Sequence, residues 1–436
     1  MALNQVQAAV GAELPLRPNP TDAISYEDLY ARWEQGNWSA MELDFTDDAR
    51  QWQEDWSAFD RTAALWNYGL FFWGEDAVTD NLSPYIDAAP LEEQKYFLAT
   101  QQADEARHAV FFARFMHEVC GLGDGSIGGG LEAVRPDLTW GFRQIFDRLD
   151  VQADELRKDR SRPMLARAVT LYHVIVEATL AQPGQHFITS YLDTRDTLPA
   201  FREGMHNIAR DEQRHIGFGV KLLSDLQRED PECRPAVADL LREVIPWTAA
   251  VLIPPGWDER YITTFGYTKE EVGVEGQQSF ETKMRSAGMP IEELPGPPVM
   301  PLDLTPEEQT RRGYDLVRFG VLGEKTGPPS REPEAVELLM DTVRRQVNPA
   351  HGFSRPVTLQ WDFTDVAPWH VRIDNGSTAA AQGAAPDPDL TLRCRYEDWV
   401  DIVGGRLDPR RAVLTRRLKP KGNPRTLLAL PRIFPR

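Results

Sequence analysis

Cysteine is scarce: three residues in 436, Cys120, Cys233 and Cys394, widely separated and odd in number. That usage excludes a disulfide framework and predicts reduced thiols in the cytoplasm. No apolar run reaches the roughly 20 residues that cross a bilayer. The opening Met1-Ala2-Leu3-Asn4-Gln5 lacks the basic-then-apolar layout of a signal peptide, so no transmembrane segment and a cytoplasmic location are expected. Positive charge is also short, with 48 Lys and Arg against 67 Asp and Glu and a net charge of -19. Phosphate backbones are held by clustered cations, so no nucleic acid partner is expected. With 42% hydrophobic content the chain can bury a large core and exceeds the usual single-domain size.

Against these absences stands a repeat. Asp104-Glu105-Ala106-Arg107-His108 and Asp211-Glu212-Gln213-Arg214-His215 share the pattern Asp-Glu-x-Arg-His, each within a helical periodicity. A Glu and a His three positions apart share one helical face and can grip one ion. Two such pairs, joined by a Glu from each of two further helices, make a carboxylate-bridged dimetal site in a four-helix bundle. Glu75 follows the aromatic run Trp66 to Trp73 on its Tyr68/Phe71/Phe72 side, and Glu177 is the single charge in Leu171 to Ala181. A buried carboxylate neutralises, pairs or binds a cation. The expected ligands are Glu75, Glu105, His108, Glu177, Glu212 and His215. Oxygen and nitrogen donors without thiolate favour iron or manganese, as Fe/Fe or Mn/Fe. Asp104 and Asp211 should each accept the other ring proton of a ligating His across the bundle. Arg107 and Arg214 should pair with these carboxylates. The competing reading is a solvent-facing salt-bridge ladder.

These residues resemble the ferritin-like carboxylate-bridged dimetal proteins over about the first two-thirds of the chain. Within that group the chain looks most like the ribonucleotide reductase small-subunit type and its ligand-binding oxidase branch. The resemblance implies a manganese-iron site beside a bound fatty-acid-like ligand, a homodimer, and a covalent Val–Tyr ether link. Val78, three residues after the first metal-binding Glu, and Tyr172, five before Glu177, occupy the linked positions. Two departures matter. Phe112 stands where radical-generating small subunits carry a Tyr, and Ile208 stands where arylamine N-oxygenases of the superfamily carry an extra His.

Elsewhere the signals are structural. Pro18 to Asp22 reads as a loop, Gly121 to Gly130 as a helix-stop loop, and Pro183-Gly184 as the end or a kink of the third bundle helix. His117, His173, His186, His206, His351 and His370 lack paired spacing and are read as structural. Pro-rich segments at Leu294 to Pro298 and Thr326 to Ser330 flank a helix from Pro306 to Leu322, with Thr305 as N-cap. Beyond them Val357 to Phe363, Trp369 to Ile373 and Leu390 to Cys394 alternate as half-buried strands do. Asp387 to Leu392, Tyr396 to Gly405, Leu407-Asp408-Pro409 and Leu428 to Phe434 resemble the sterol carrier protein type two family. A basic stretch, Arg410, Arg411, Arg416, Arg417, Lys419, Lys421 and Arg425, reads as a solvated face, an anionic-lipid contact or a dock for the acidic bundle.

The expected fold is mainly α: a ferritin-like four-helix-bundle dimetal domain at 1–325, with 296–330 holding the Pro-rich linkers and one helix. A small α+β lipid-carrier-like domain follows at 333–436. The expected function is a dioxygen-activating dimetal oxidase or monooxygenase. It would hydroxylate, desaturate or otherwise oxidise an apolar, lipid-like substrate, with electrons from a separate donor. A radical-generating reductase subunit and a non-catalytic lipid- or metal-binding protein are the alternatives.

Overall fold

The structure is a computed structural model that describes residues 20–348, 355–374 and 376–434. Its centre is four long helices. The first, Ala58–Asn81, opens on Ser57, whose hydroxyl accepts from Asp60 N at 3.1 Å. The second is Glu92–Glu118. The third runs without a break from Arg162 to Arg195, and the fourth is Pro199–Glu229. The fourth has a backbone-strained N-cap, Leu198 at φ 49°. Its free N–H groups are capped from afar: buried Asp48 accepts from Ala200 N at 3.1 Å and Phe201 N at 2.8 Å.

The third helix departs from expectation. Pro183 neither ends nor breaks it, because Thr170–Ala181 is wound as a π-helix and Pro183 falls in the first turn of the α-helix Gln182–Arg195. The first turn of an α-helix is where a proline is tolerated. By length and apolarity this helix could cross a membrane, against the reading that no run suffices; most of it is buried inside the protein. It is the core helix of the bundle.

Smaller readings resolve similarly. Pro20–Ala23 is a 3-10 turn rather than plain loop, and Pro18 and Asn19 lie outside the described residues, as does His351. The glycine-rich segment is a loop only to Ser126, after which Ile127–Val134 is helical. Gly123 is fixed there by φ 75° and by Gly130 N, 2.9 Å from where a Cβ would stand. His186 meets Glu275 at 2.9 Å, His206 meets Asp193 at 3.0 Å, and His370 meets the Gly383 carbonyl at 3.1 Å. The three cysteines are free.

The helix after the first Pro-rich segment is Pro306–Arg318, with the Thr305/Glu308 capping box in place. It stops short of Leu322 because Gly320 at φ 75° turns the chain back, Val321 N donating to Leu316 O at 2.9 Å. The C-terminal unit pairs helices with a five-stranded sheet of order β3-β2-β1-β4-β5. The strands are β1 (Val357–Phe363), β2 (Trp369–Asp374), β3 (Ser377–Gln382), β4 (Leu390–Cys394) and β5 (Leu418–Gly422). β1 and β4 are parallel neighbours, and the remaining pairs are antiparallel. β5 holds Pro420, tolerated because the strand is an edge.

This unit is fastened to the helix Pro306–Arg318 and the segments that flank it. Arg406 donates to the carbonyls of Gly320 at 2.8 Å and Val321 at 2.9 Å and to Asp401 at 3.0 Å. Lys325 reaches Asp401 and Glu397, each at 2.8 Å. Arg312 joins Val299 O at 2.7 Å to Asp341 at 2.8 Å and Thr342 at 2.7 Å. Of the basic stretch, Arg417 pairs with Asp398 at 2.7 Å, and the other six side chains stand exposed.

Candidate metal centre

Each bundle helix points one carboxylate at the bundle axis. On the first helix the apolar packing of Tyr68 and Phe72 carries Glu75, one turn later, inward, and it is 7% exposed. Glu105 with His108 and Glu212 with His215 come from the second and fourth helices, all nearly or wholly buried. Glu177 comes from the π-wound segment. The solvent-facing salt-bridge ladder is therefore excluded.

One donor atom from each of Glu75, Glu105, His108 and Glu212 lies within 4.8 Å of the others, and the same holds for Glu105, Glu177 and His215. His108 Nδ1 is 3.3 Å from Glu75 and His215 Nδ1 is 3.7 Å from Glu177. Glu105 reaches both rings, 3.4 Å to His108 and 3.0 Å to His215. Glu212 does likewise at 3.5 and 3.6 Å. Glu75 and Glu177 thus each face one imidazole, and Glu105 and Glu212 face both, around ring centroids 6.1 Å apart.

The far ring nitrogens are held crosswise. His108 Nε2 meets Asp211 Oδ2 at 3.2 Å, and His215 Nε2 meets Asp104 Oδ2 at 3.1 Å. Arg214 ties the two acids together, 2.6 Å to Asp211 and 3.2 Å to Asp104, and Arg107 pairs with Asp104. Two tryptophans complete the ring. Trp33 Nε1 donates to Asp104 and Trp38 Nε1 to Asp211, each at 2.8 Å. Nothing in the sequence singled them out, since their contacts span the fold.

The electrostatics call for cations. Burial raises Glu75 to about 8 although His108 draws it down. Burial also raises Glu177 and, with Glu105 beside it, Glu212. Burial works against Glu105 too, yet the charges and hydrogen bonds of His215 and His108 hold it well below the usual carboxylate range. Glu177 Oε2 is buried with no hydrogen-bond partner, and His215 Nδ1 faces the carboxylates of Glu105, Glu177 and Glu212. An inward lone pair and carboxylate oxygen of this kind suit coordination, so the donor set fits two divalent or trivalent first-row ions.

Tyr172 sits at the edge of this cluster. Its hydroxyl donates to Glu105 Oε1 at 2.7 Å and accepts from Gln101 Nε2 at 3.0 Å, while Gln101 also donates to Glu177 at 2.9 Å. Gln101 went unnoticed in the sequence. The π-winding makes this arrangement: i→i+5 bonding brings Tyr172 and Glu177 toward one face, and such stretches are frequent at functional sites. Burial and nearby Glu105 keep the phenol protonated.

Above the carboxylates lies a cavity of about 110 Å³. Glu75, Glu105, Glu177, Glu212 and Tyr172 close its floor, and Val78, Phe71, Phe146, Val176 and Leu180 are among its apolar walls. Phe112 lies outside this lining, in an aromatic cluster with Phe71, Phe111 and Phe201. Ile208 is buried in the same core.

Comparisons agree with this architecture. The model of a family described as ribonucleotide reductase, small chain, matches residues 18–247. The model of the SCP-2 sterol transfer family matches residues 341–435. Among solved structures, the R2-like ligand-binding oxidase from Sulfolobus acidocaldarius is 24% identical, covering 65% of this chain and 93% of that one, with a TM-score of 0.50. A point variant of an R2-like ligand-binding oxidase, with anaerobically reconstituted Mn/Fe cofactor, is 23% identical over 60% of this chain and 93% of that one, with a TM-score of 0.52. At such identities the likeness is one of fold.

Proposed function

From the premise that the chain belongs to the ribonucleotide reductase small-chain family, we propose a dimetal-carboxylate oxidase or monooxygenase acting on an apolar, lipid-like substrate. The observation that carries the reading is the apolar cavity whose floor is the carboxylate cluster. Glu75, Glu105, His108, Glu177, Glu212 and His215 are the proposed ligands, with Asp104, Asp211, Arg107 and Arg214 positioning them. Redox-active ions there, Mn/Fe by analogy with the solved oxidases or Fe/Fe, would supply dioxygen reduction. The chain's own part is ligation, orientation of an apolar C–H bond over the cluster, and exclusion of water. The proposed domains are 1–325 for oxidation and 333–436 for lipid carriage. A homodimer, a separate electron donor and a cytoplasmic setting complete the proposal; the free cysteines support the last.

Tyr172 and Val78 are proposed partners in an oxidative ether link. The Val78 C–H and the Tyr172 O–H would each give up a hydrogen, with dioxygen as the electron acceptor. Both side chains line the cavity, which supports the pairing. Radical supply to a partner reductase ranks below oxidation, because Phe112 has no hydroxyl to oxidise. The test is aerobic loading of metal-free protein with iron and manganese, followed by dioxygen uptake and mass spectrometry of protein and extracted lipid. No uptake and no oxidised lipid would leave only the binding-protein reading.

A further inference from the structure

A second chamber of about 50 Å³ adjoins the first, with Leu180, Leu252 and Val272 lining both. Its far side comes from two helices, Lys269–Ser286 and Pro306–Arg318. A cavity needs only about 10–15 Å³ to hold one water, so this one has room for a larger group. Its character differs from the apolar cavity: Gln277, Gln309 and Thr310 line it, and no charged residue does.

All three polar side chains are nine-tenths buried or more, at 8%, 0% and 7% exposure. Among the described residues, Gln277 Oε1, Gln309 Oε1 and Thr310 Oγ1 have no hydrogen-bond partner. The Gln309 amide is oriented by its own Nε2, which donates to Leu304 O at 3.1 Å, so its Oε1 is an acceptor facing no donor. Thr310 is held close against Gly273, where a Cβ would come within 2.5 Å of its methyl. Buried polar groups without partners are rare and costly in a folded core; here two amide oxygens, which only accept, and one hydroxyl, which accepts or donates, call for a hydrogen-bonding group from outside the chain that can donate.

We infer that this chamber receives the far end of the molecule that fills the larger cavity, and that this end is uncharged and donates hydrogen bonds: a hydroxyl or an amide N–H on a long apolar body. A carboxylate or phosphate end would face two amide oxygens and no cation to balance its charge. An ammonium end would meet no carboxylate. The inference rests on the larger cavity being the substrate site and narrows the substrate class to apolar chains with a neutral polar terminus.

The test measures binding of hexadecanoic acid and ω-hydroxyhexadecanoic acid to the full-length, metal-loaded protein by calorimetry, in wild type, Thr310→Val and Gln277→Leu. One hydrogen bond to a buried acceptor predicts a preference of about tenfold for the hydroxylated probe in wild type. The variant that removes the accepting atom should lose most of that preference, and both should keep their affinity for hexadecanoic acid, which shows that the fold and the larger cavity survive. Equal wild-type affinities, or a preference that persists in both variants, would overturn the inference. If both probes bind equally while dioxygen is consumed, the chamber alone is refuted. If neither probe binds, the substrate reading of the larger cavity falls as well.

Discussion

Replacing Asp211 by Asn should weaken one metal position and leave its neighbour nearly untouched. Asp211 Oδ2 takes contacts from both His108 Nε2, at 3.2 Å, and Trp38 Nε1, at 2.8 Å, while Oδ1 accepts from Arg214 at 2.6 Å. An Asn has one acceptor oxygen. If it faces His108 and Trp38, its amide N–H₂ is pressed against the Arg214 guanidinium; if it faces Arg214, His108 and Trp38 lose their acceptor. Either way a buried hydrogen bond to a charged partner is lost, at a cost of about 1.5–3 kcal/mol. That corresponds to roughly 10- to 100-fold in affinity at the His108 position, in the range seen when partners of ligating histidines are removed. His215 is held by Asp104 instead, at 3.1 Å. Competition with a chelator of known affinity, read as metal bound per chain, should therefore show one weakened ion and one retained. Asp104→Asn should produce the mirror image. Equal weakening of both ions in either variant, or none, would refute the crosswise arrangement.

Further predictions concern the neighbours of this centre. Tyr172→Phe removes a buried hydroxyl with two hydrogen bonds. It should cost about 1–3 kcal/mol in denaturant unfolding and abolish any loss of two hydrogens between the Tyr172 and Val78 peptides after aerobic metal loading; a loss that persists in the variant would dismiss Tyr172. Val176→Phe, which fills the larger cavity, should eject co-purifying lipid while metal content stays at the wild-type level, both seen by native mass spectrometry. Burial, with the charge of His215 adding to it, lowers His173 from 6.5 to about 3. The unfolded chain then takes up a proton that the folded chain refuses, so His173 costs stability as pH falls from 6.5 toward 3, by up to about 1.4 kcal/mol per pH unit. In metal-free protein, His173→Gln should flatten the fall of the urea midpoint between these values, and parallel profiles would rule His173 out as the cause.

The centre was legible in sequence to the extent that its chemistry is local. Glu105 with His108 and Glu212 with His215 are helical neighbours, and an isolated Glu in an apolar helix, as at Glu75 and Glu177, advertises itself. Trp33, Trp38 and Gln101 were hidden because each acts through a contact made only by folding, 71 or more residues along the chain. The π-winding was hidden for another reason. Pro183 is the usual sign of a helix end, and nothing local tells a bulged helix that absorbs a proline from one that stops. In the C-terminal unit, β1, β2 and β4 alternate visibly, whereas β3, Ser377–Gln382, is half Ala and β5 carries Pro420, so neither has the pattern of a half-buried strand.

The cradle of carbonyls around Arg406 has a mechanical consequence. A carrier that swings out to collect cargo and back to unload it needs slack at its root. Here the root is pinned by a guanidinium bonded to two successive peptide groups and braced by Lys325. The sheet unit is thereby tied to the turn that ends the helix Pro306–Arg318, and the two are expected to reorient together rather than independently.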